Sequence, residues 1–206
     1  MPLRKHGVIL YWDGASVSLM QDRDRPVFLS EEIQVEKKRR YNYNIYLTGF
    51  MGSGKSTIGA VIARIYRMEA IDTDRWIEKR EKLSVSMIYE KFGEEYFLEK
   101  ERELMKRIER RKGLVVSTGG ETLFNPGNPE IMKKGRIVLI KTPVQEVLKR
   151  VKRRHTRPQL EGKSDEEIIS MIKEREMIYE KAADIVIETG GRTREEIAYE
   201  IMEQMV

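Results

Sequence analysis

Residues 49–57 read GFMGSGKST, and this stretch decides the fold. It matches the pattern G-x-x-x-x-G-K-[ST], follows an apolar run that predicts a strand and opens a run that predicts a helix. Glycines there let backbone N–H groups curl around an anion, and the positive end of the helix adds attraction. The pattern predicts a phosphate-binding loop for a nucleoside triphosphate, in which Lys55 reaches the terminal phosphates and Ser56 ligates Mg²⁺. The residues expected to bind the nucleotide here are Gly49, Gly52, Ser53, Gly54, Lys55, Ser56 and Thr57.

Around this loop, short β-rich runs alternate with longer amphipathic runs from residue 41 to the end of the chain. This alternation is typical of a parallel sheet covered by helices on both faces. Strands are predicted at residues 44–48, 69–72, 114–117, 136–140 and 184–188. Helices are predicted near residues 55–67, 74–81, 84–91, 94–111, 143–153, 165–182 and 193–205. We therefore expect an α/β domain over residues 41–206.

Residues 1–40 carry a different pattern and are predicted to form a small extension. Within residues 7–20, two apolar or alternating runs flank Asp13 and Gly14, a dipeptide that accepts the positive φ angles of a tight turn, so a β-hairpin is expected. Ser30 can cap a short helix that ends in basic residues before residue 41. The apolar faces of the hairpin must cover either the main domain or a second copy, so a monomer and a homodimer both stay open.

The composition excludes several kinds of site. Among 206 residues there is no cysteine and there are two histidines, which rules out disulfides and thiolate sites and leaves oxygen atoms as the expected metal ligands. The net charge of +5 comes from 39 basic and 34 acidic residues that mostly intermingle on predicted helices, so no nucleic-acid partner is expected. No run approaches the roughly 18 apolar residues that span a bilayer. A soluble, cytoplasmic protein without a membrane partner is therefore expected.

The next motifs indicate what accepts the phosphoryl group. The chain lacks the N-K-x-D motif of GTPases, and the strand-like run GLVVSTGG at residues 113–120 lacks the final acidic residue of many ATPases, so a small-molecule kinase is favoured. In IDTD at residues 71–74, two carboxylates follow a predicted strand, and side chains two apart on an extended segment point the same way. Asp72 is expected to help hold Mg²⁺ and Asp74 to orient or deprotonate the acceptor hydroxyl. Alternatively, Asp74 only caps the next helix.

Several ordered motifs between residue 44 and about residue 200 resemble those of the shikimate kinase family, within the nucleoside-monophosphate-kinase-like P-loop proteins. They are GFMGSGKSTIG (49–59), DTD (72–74), IYEKFGEEYF (88–97), STGG (117–120), RPQL (157–160) and EREMIYEKAADIVIET (174–189). The resemblance implies a three-layer αβα fold around a five-stranded parallel sheet in the order 2-3-1-4-5. It also implies ATP and Mg²⁺ as cofactors and a small hydroxyl compound as the substrate.

The same resemblance assigns roles to single residues. Asp72 matches the carboxylate on the magnesium side, Asp74 matches the one that faces the substrate hydroxyls, and Gly120 matches a backbone donor to the substrate beside Gly119. Lys55, Asp74 and Arg157 are the implied catalytic residues.

A basic segment, KRVKRRHTRPQLEGKSD at residues 149–165, lies between two predicted helices and is interrupted by Pro158. Such a cluster can close over a triphosphate and neutralise charge during transfer, so a lid is predicted at about residues 150–164. By the resemblance, Arg157 contacts the γ-phosphate and Arg150 stacks near adenine.

Two residues depart from the family pattern at the expected acceptor site. Leu98 stands where the pattern has an arginine that grips the shikimate carboxylate, and Glu121 replaces a third glycine. Arg175 matches the second carboxylate-binding arginine, while Met177 replaces the proline of that motif. Arg102, one helical turn beyond Leu98, is a candidate substitute for the missing cation. Loss of one charge-assisted hydrogen bond weakens binding by roughly ten- to more than a hundredfold.

Three hypotheses for the function follow from these departures. The first is ATP-dependent phosphorylation of shikimate to shikimate 3-phosphate. In the second, Leu98 and Glu121 reshape the pocket for a neutral or cationic alcohol, such as a polyol or an amino alcohol. The third is a degenerate kinase that binds ATP as a regulatory or interaction module. The presence of the residues needed for phosphoryl transfer argues against it; these are Lys55, Asp72, Asp74 and Arg157.

Overall fold

The computed structural model describes residues 4–5, 8–12, 17–20, 41–153 and 158–205. The chain divides into two compact units, residues 1–40 and 41–206. In the first unit, β1 (Arg4–Lys5), β2 (Val8–Trp12) and β3 (Val17–Met20) form an antiparallel sheet with β2 in the middle. Trp12 pairs with Val17, which confirms the predicted hairpin. The predicted helix before residue 41 lies outside the described residues.

The second unit is built on a five-stranded sheet in which all neighbouring strands are parallel. Its strands are β4 (Ile45–Thr48), β5 (Glu69–Asp72), β6 (Leu114–Ser117), β7 (Arg136–Lys141) and β8 (Ile185–Glu188). Their order across the sheet is β5-β6-β4-β7-β8. Counted from β4 as the first strand, this is the order 2-3-1-4-5, and the predicted fold class is confirmed.

Helices connect these strands and cover the sheet. They are α1 (Lys55–Tyr66), α2 (Thr73–Glu81), α3 (Val85–Glu109), α4 (Asn128–Met132), α5 (Val144–Lys152), α6 (Asp165–Ala182) and α7 (Arg194–Glu203). The two helices predicted over residues 84–111 form one element with a break at Gly93, whose φ of 82° is not helical. The sequence did not predict α4, because five residues are too short to show helical periodicity.

The core forms two layers, one on each face of the sheet. Alternation along β4 sends Ile45 and Leu47 into the layer with α1 and α7, and Tyr46 into the layer with α3 and α6. All four residues of β4 and all four of β6 are buried, as expected for strands whose two faces are both covered. None of the helices in the described ranges combines the length and apolar character that a membrane crossing needs.

Asn44 joins the start of the sheet to the end of α3. Its side chain is buried, and Nδ2 donates to the carbonyl oxygens of Ile108 at 3.1 Å and Arg111 at 2.9 Å. Its Oδ1 accepts from the backbone N–H of Leu114 at 3.1 Å. One amide side chain therefore satisfies three backbone groups at the turn between α3 and β6.

Replacing Asn44 with alanine should lower the free energy of unfolding by about 2–4 kcal/mol, because buried backbone groups lose their partners. Urea unfolding at equilibrium measures this change. The matched control is Asn42→Ala, at an exposed position two residues earlier, which should stay within about 0.5 kcal/mol of the parent. Equal effects of the two substitutions would contradict the role given to Asn44.

Candidate active site

The phosphate-binding loop lies between β4 and α1 and depends on its glycines. Gly49 and Gly54 have φ angles of 137° and 102°, in the region that favours glycine. A Cβ atom at Gly49 would also lie 2.8 Å from the carbonyl oxygen of Ile140 on the neighbouring strand. Ser56 and Thr57 follow in the first turn of α1 and are exposed, so their hydroxyls are accessible to a ligand.

Two predicted nucleotide-binding cations contact the carbonyl groups of this loop. Lys55 is buried, and its Nζ donates to the carbonyl oxygens of Gly49 at 2.7 Å and Phe50 at 2.9 Å. From α5, Arg150 Nη1 donates to the carbonyl oxygen of Gly52 at 3.1 Å. Both cations therefore flank the loop where an anion would lie. Arg157 is outside the described residues, so its predicted place stays a prediction.

The two predicted carboxylates differ in local structure. Asp72 ends β5 and caps α2, because its Oδ1 accepts from the backbone N–H of Arg75 at 3.1 Å. The alternative that Asp74 is the helix cap is therefore wrong. Asp74 is buried in the first turn of α2. The expectation that Asp72 and Asp74 lie on one extended segment is therefore wrong. The turn into the helix begins at residue 73, and this separates the two side chains.

Glycine at position 119 allows β6 to approach the start of α2. The Gly119 N–H donates to Thr73 Oγ1 at 2.8 Å. A Cβ atom at Gly119 would lie 2.6 Å from Asp74 Oδ1 and 3.3 Å from Glu101 Oε1. The glycine therefore makes room for two carboxylates at the end of β6.

A pocket opens where β4, β5 and β6 end, at the edge of the sheet where open α/β proteins bind ligands. Its lining residues are Met51, Asp74, Val85, Tyr89, Phe97, Glu101, Gly119, Gly120, Glu121 and Gln159. The structure thus brings together four of the six predicted acceptor residues. Leu98 and Arg175 do not line the pocket. Leu98 is half-buried, and Arg175 forms an ion pair with the lining residue Glu121. Arg102, the candidate substitute cation, instead donates to Asn125 Oδ1 at 2.8 Å.

Glu101 is a pocket residue that sequence reasoning missed. It is fully buried, accepts from Asn125 Nδ2 at 3.0 Å and Asn128 Nδ2 at 3.2 Å, and also accepts from the Thr122 hydroxyl. Burial raises the pKa of Glu101 to about 7. The hydrogen bonds from Thr122 and Asn125 lower this pKa, and the negative charges of Asp74 and Glu121 raise it further. Glu101 shares the buried face of α3 with Phe97 and Leu104, and its helical spacing from these two residues is the sequence signal that could have predicted its burial.

Glu121 points towards Arg175 at the rim of the pocket. Its Oε1 lies 2.6 Å from Arg175 Nη2, and each side chain is 18% exposed. The guanidinium carbon of Arg175 also lies 5.6 Å from the ring centres of both Phe50 and Phe124. Since α6 carries Arg175 and the turn after β6 carries Glu121, this ion pair connects two elements at the pocket.

Four buried polar atoms, three in the pocket lining and one in the neighbouring Arg175, have no hydrogen-bond partner among the described residues. They are the Tyr89 hydroxyl, Glu121 Oε1, Gln159 Oε1 and Arg175 Nη1. Glu121 Oε1 has the charge contact with Arg175 but no hydrogen bond of acceptable geometry. Buried polar groups are rarely left unpaired, so their concentration here indicates a site for a polar ligand.

The raised pKa of Glu101 makes stability depend on pH. Between pH 4.5 and about 7, Glu101 keeps its proton in the folded protein and loses it in the unfolded chain. The contribution of Glu101 to the free energy of unfolding therefore falls as pH rises through that window. The slope is at most about 1.4 kcal/mol per pH unit. Glu101→Gln, which stays neutral, should remove this slope in urea unfolding measured at several pH values.

The control for this prediction is Glu103→Gln on the same helix, where the carboxylate is partly exposed and pairs with Lys100 at 3.1 Å. It should leave the slope of the parent protein unchanged. Equal pH profiles for the parent and Glu101→Gln would contradict the raised pKa.

Comparison with known proteins agrees with this fold. A family model described as shikimate kinase matches residues 51–206. The shikimate kinase of Caldanaerobacter subterraneus subsp. tengcongensis is 38% identical over 161 residues, which cover 77% of this chain and 94% of that protein. The shikimate kinase of Sulfurihydrogenibium sp. is 41% identical over 160 residues, which cover 77% and 95%.

Solved structures give the same result. The shikimate kinase from Acinetobacter baumannii in complex with shikimate has a TM-score of 0.76 and 31% identity, and the match covers 84% of this chain and 96% of that chain. The shikimate kinase from Aquifex aeolicus has a TM-score of 0.66 and 37% identity, with 79% and 95% covered. The phosphate-binding loop, the sheet order and these matches together lead to one conclusion: the chain belongs to the shikimate kinase family.

Proposed function

We propose that this protein transfers the γ-phosphoryl group of ATP to a hydroxyl group of shikimate. One observation carries the proposal: a pocket with unpaired polar atoms lies directly beside the phosphate-binding loop, and Met51 of that loop lines the pocket with Asp74. A donor phosphate held by the loop would therefore face an acceptor held in the pocket. The bound shikimate named for the relative from Acinetobacter baumannii supports the choice of acceptor.

In this proposal, the loop binds the ATP phosphates through the backbone N–H groups between Gly49 and Thr57. Lys55 exchanges its bonds to the Gly49 and Phe50 carbonyls for bonds to the terminal phosphates. Because the lysine is already held at the loop, little ordering accompanies this exchange. Its charge then offsets the negative charge that develops during transfer.

Ser56 and Asp72 are the residues we propose for Mg²⁺. No group of three or more histidine, cysteine, aspartate or glutamate side chains in the described ranges could hold a metal by itself. Mg²⁺ usually keeps several waters and takes one or two protein ligands together with substrate phosphates, so two protein oxygens are a sufficient set. The exposed Ser56 hydroxyl and the partly exposed Asp72 carboxylate are oxygen donors of the required kind. When held there, Mg²⁺ would offset the negative charge of the phosphates.

Asp74 is the residue we propose to orient or deprotonate the acceptor hydroxyl. It is buried next to Gly119, so its carboxylate has a fixed position relative to the loop. Gly119 and Gly120 would bind the acceptor through their backbone, and Phe97 forms the apolar wall that Leu98 flanks.

The lid predicted at about residues 150–164 would close over the bound ATP. Arg150 already contacts the loop, and Gln159, from the turn Pro158–Leu160, lines the acceptor pocket. The segment therefore reaches both halves of the proposed site. Arg157 is proposed to neutralise the γ-phosphate charge during transfer, and closure would exclude water from the reaction.

The ion pair between Arg175 and Glu121 supports a second candidate class of acceptor. This contact favours an alcohol without a carboxylate, whose binding would not compete for Arg175. Three further expectations stay predictions: that the hairpin of the extension covers the main domain or a second copy, that the protein is a monomer or a homodimer, and that it is cytoplasmic.

Replacing Asp74 with asparagine should lower kcat by roughly a hundredfold or more, because the acceptor hydroxyl loses its proton acceptor. Affinity for Mg·ATP should stay nearly unchanged, since the loop is intact. Coupled ADP release with shikimate measures the first quantity and isothermal titration calorimetry the second. Parallel losses of turnover and ATP affinity would show that Asp74 serves the nucleotide instead.

Replacing Asp72 with asparagine should raise the Mg²⁺ concentration for half-maximal activity by roughly tenfold, because a charged oxygen near the metal is lost. Asparagine also caps helices, so α2 should keep its start and the melting temperature should change little. Activity measured across a Mg²⁺ titration tests this. An unchanged Mg²⁺ requirement would remove Asp72 from the proposed metal site.

A further inference from the structure

Tyr89, on α3, places a hydroxyl group in the lining of the acceptor pocket, beside Asp74. The oxygen atom of this hydroxyl is buried and has no hydrogen-bond partner among the described residues. We propose that Tyr89 is a further acceptor-binding residue, whose hydroxyl donates a hydrogen bond to an oxygen atom of the bound shikimate. The inference rests on the proposed phosphoryl transfer and adds a side chain that holds the acceptor.

Packing explains the ring of Tyr89 but leaves its hydroxyl unexplained. The ring packs against the hydrophobic core, and its centre lies 5.2 Å from the ring centre of Phe97. A phenylalanine at this position would make the same ring contacts. A buried hydroxyl without a partner destabilises the folded protein, because it has lost its hydrogen bonds to water. A ligand that pairs with the hydroxyl would offset this loss.

The Tyr89 hydroxyl is suited to donate a hydrogen bond. Burial raises its pKa, and the negative charges of Glu94 and Glu121 raise it further, so the group stays protonated. In the proposed function, Asp74 accepts from a hydroxyl group of shikimate. The carboxylate of shikimate can only accept, and Leu98 on the same helix supplies no donor. A donor from Tyr89 therefore complements what Asp74 provides.

The contacts of the ring fix the position of the hydroxyl before an acceptor binds. Tyr89 lies before the break of α3 at Gly93 and Phe97 lies after it, so their ring contact connects the two parts of this element. Phe97 is itself buried and also lines the pocket. A side chain held in this way loses little conformational freedom on binding, so its hydrogen bond contributes to affinity.

Tyr89→Phe removes the hydroxyl and keeps the ring, which makes it the test of this role. The KM for shikimate at saturating Mg·ATP should rise by roughly fivefold or more, because one hydrogen bond to the acceptor is lost. The kcat should change less than about threefold, since such a bond holds the acceptor equally before and during transfer. Coupled ADP release measures both quantities.

Stability without a ligand separates a binding role from a structural one. Because the hydroxyl is unpaired among the described residues, Tyr89→Phe should keep or raise the urea midpoint of unfolding. A hydroxyl that stabilised the fold would lower the midpoint when removed. Added shikimate should raise the midpoint of Tyr89→Phe less than that of the parent protein, because it binds the variant more weakly.

The matched control is Tyr96→Phe on the same helix. The Tyr96 hydroxyl donates to Glu81 Oε2 at 2.9 Å, and neither residue lines the pocket. This variant also loses one tyrosine hydroxyl, but at a place where the folded protein already pairs it. It should leave the KM for shikimate unchanged.

If the parent protein phosphorylates shikimate and Tyr89→Phe has the same KM, the role of Tyr89 is overturned and the proposed function stands. A parent protein that neither phosphorylates nor binds shikimate would overturn the proposed function instead. The urea midpoints then decide about the hydroxyl. A lower midpoint for Tyr89→Phe would show that the hydroxyl serves the fold and overturn the inference, whereas an equal or higher one supports a hydrogen bond kept open for a ligand.

Discussion

The parallel pairing of β6 between β4 and β5 is the constraint on which the site depends. It aligns the carboxyl ends of the three strands, so the loop after β4, Asp74 after β5 and Gly119 after β6 meet at one edge. Two hydrogen bonds extend the pairing past the strands: Thr118 N–H donates to the Leu47 carbonyl at 3.1 Å, and Gly119 N–H donates to Thr73 Oγ1 at 2.8 Å. Backbone geometry thus brings the phosphate-binding loop and the pocket to one edge of the sheet.

Close approach at this edge gives the pocket its electrostatic character. A glycine at position 119 lets β6 contact α2 and α3 so tightly that Asp74 and Glu101 face the same small space. The protein offsets this by donating three hydrogen bonds to Glu101, while burial keeps the pKa of Glu101 near 7. An anionic pocket beside a cationic phosphate loop separates the charges of the two halves of the site.

The two departures from the shikimate kinase pattern, Leu98 and Glu121, have the same kind of physical effect. With Leu98 on α3, no arginine from that helix reaches the pocket, and Arg102 instead binds Asn125. With Glu121 after β6, Arg175 has an internal partner. Both changes leave fewer cationic side chains available at the proposed acceptor site. The phosphate-binding loop and Asp74 keep the family pattern, so the departures are confined to the proposed acceptor site.

The loop and the strand positions could be predicted from the residues, because glycine spacing and hydrophobic periodicity are local properties that a single chain displays. The strand order came only from the resemblance of the motifs to those of shikimate kinases. The sequence by itself could not determine side-chain partners between elements. The cap of α2 is Asp72 and not Asp74, since the exact residue at which the helix begins decides it. Glu101 belongs to the pocket only because Gly119 lets distant elements meet. Glu121 turns towards Arg175 because α6 contacts the turn after β6, where the Tyr179 hydroxyl donates to the Gly120 carbonyl at 2.7 Å. Such contacts depend on three-dimensional packing between residues far apart in the chain, so only the tertiary structure decided them.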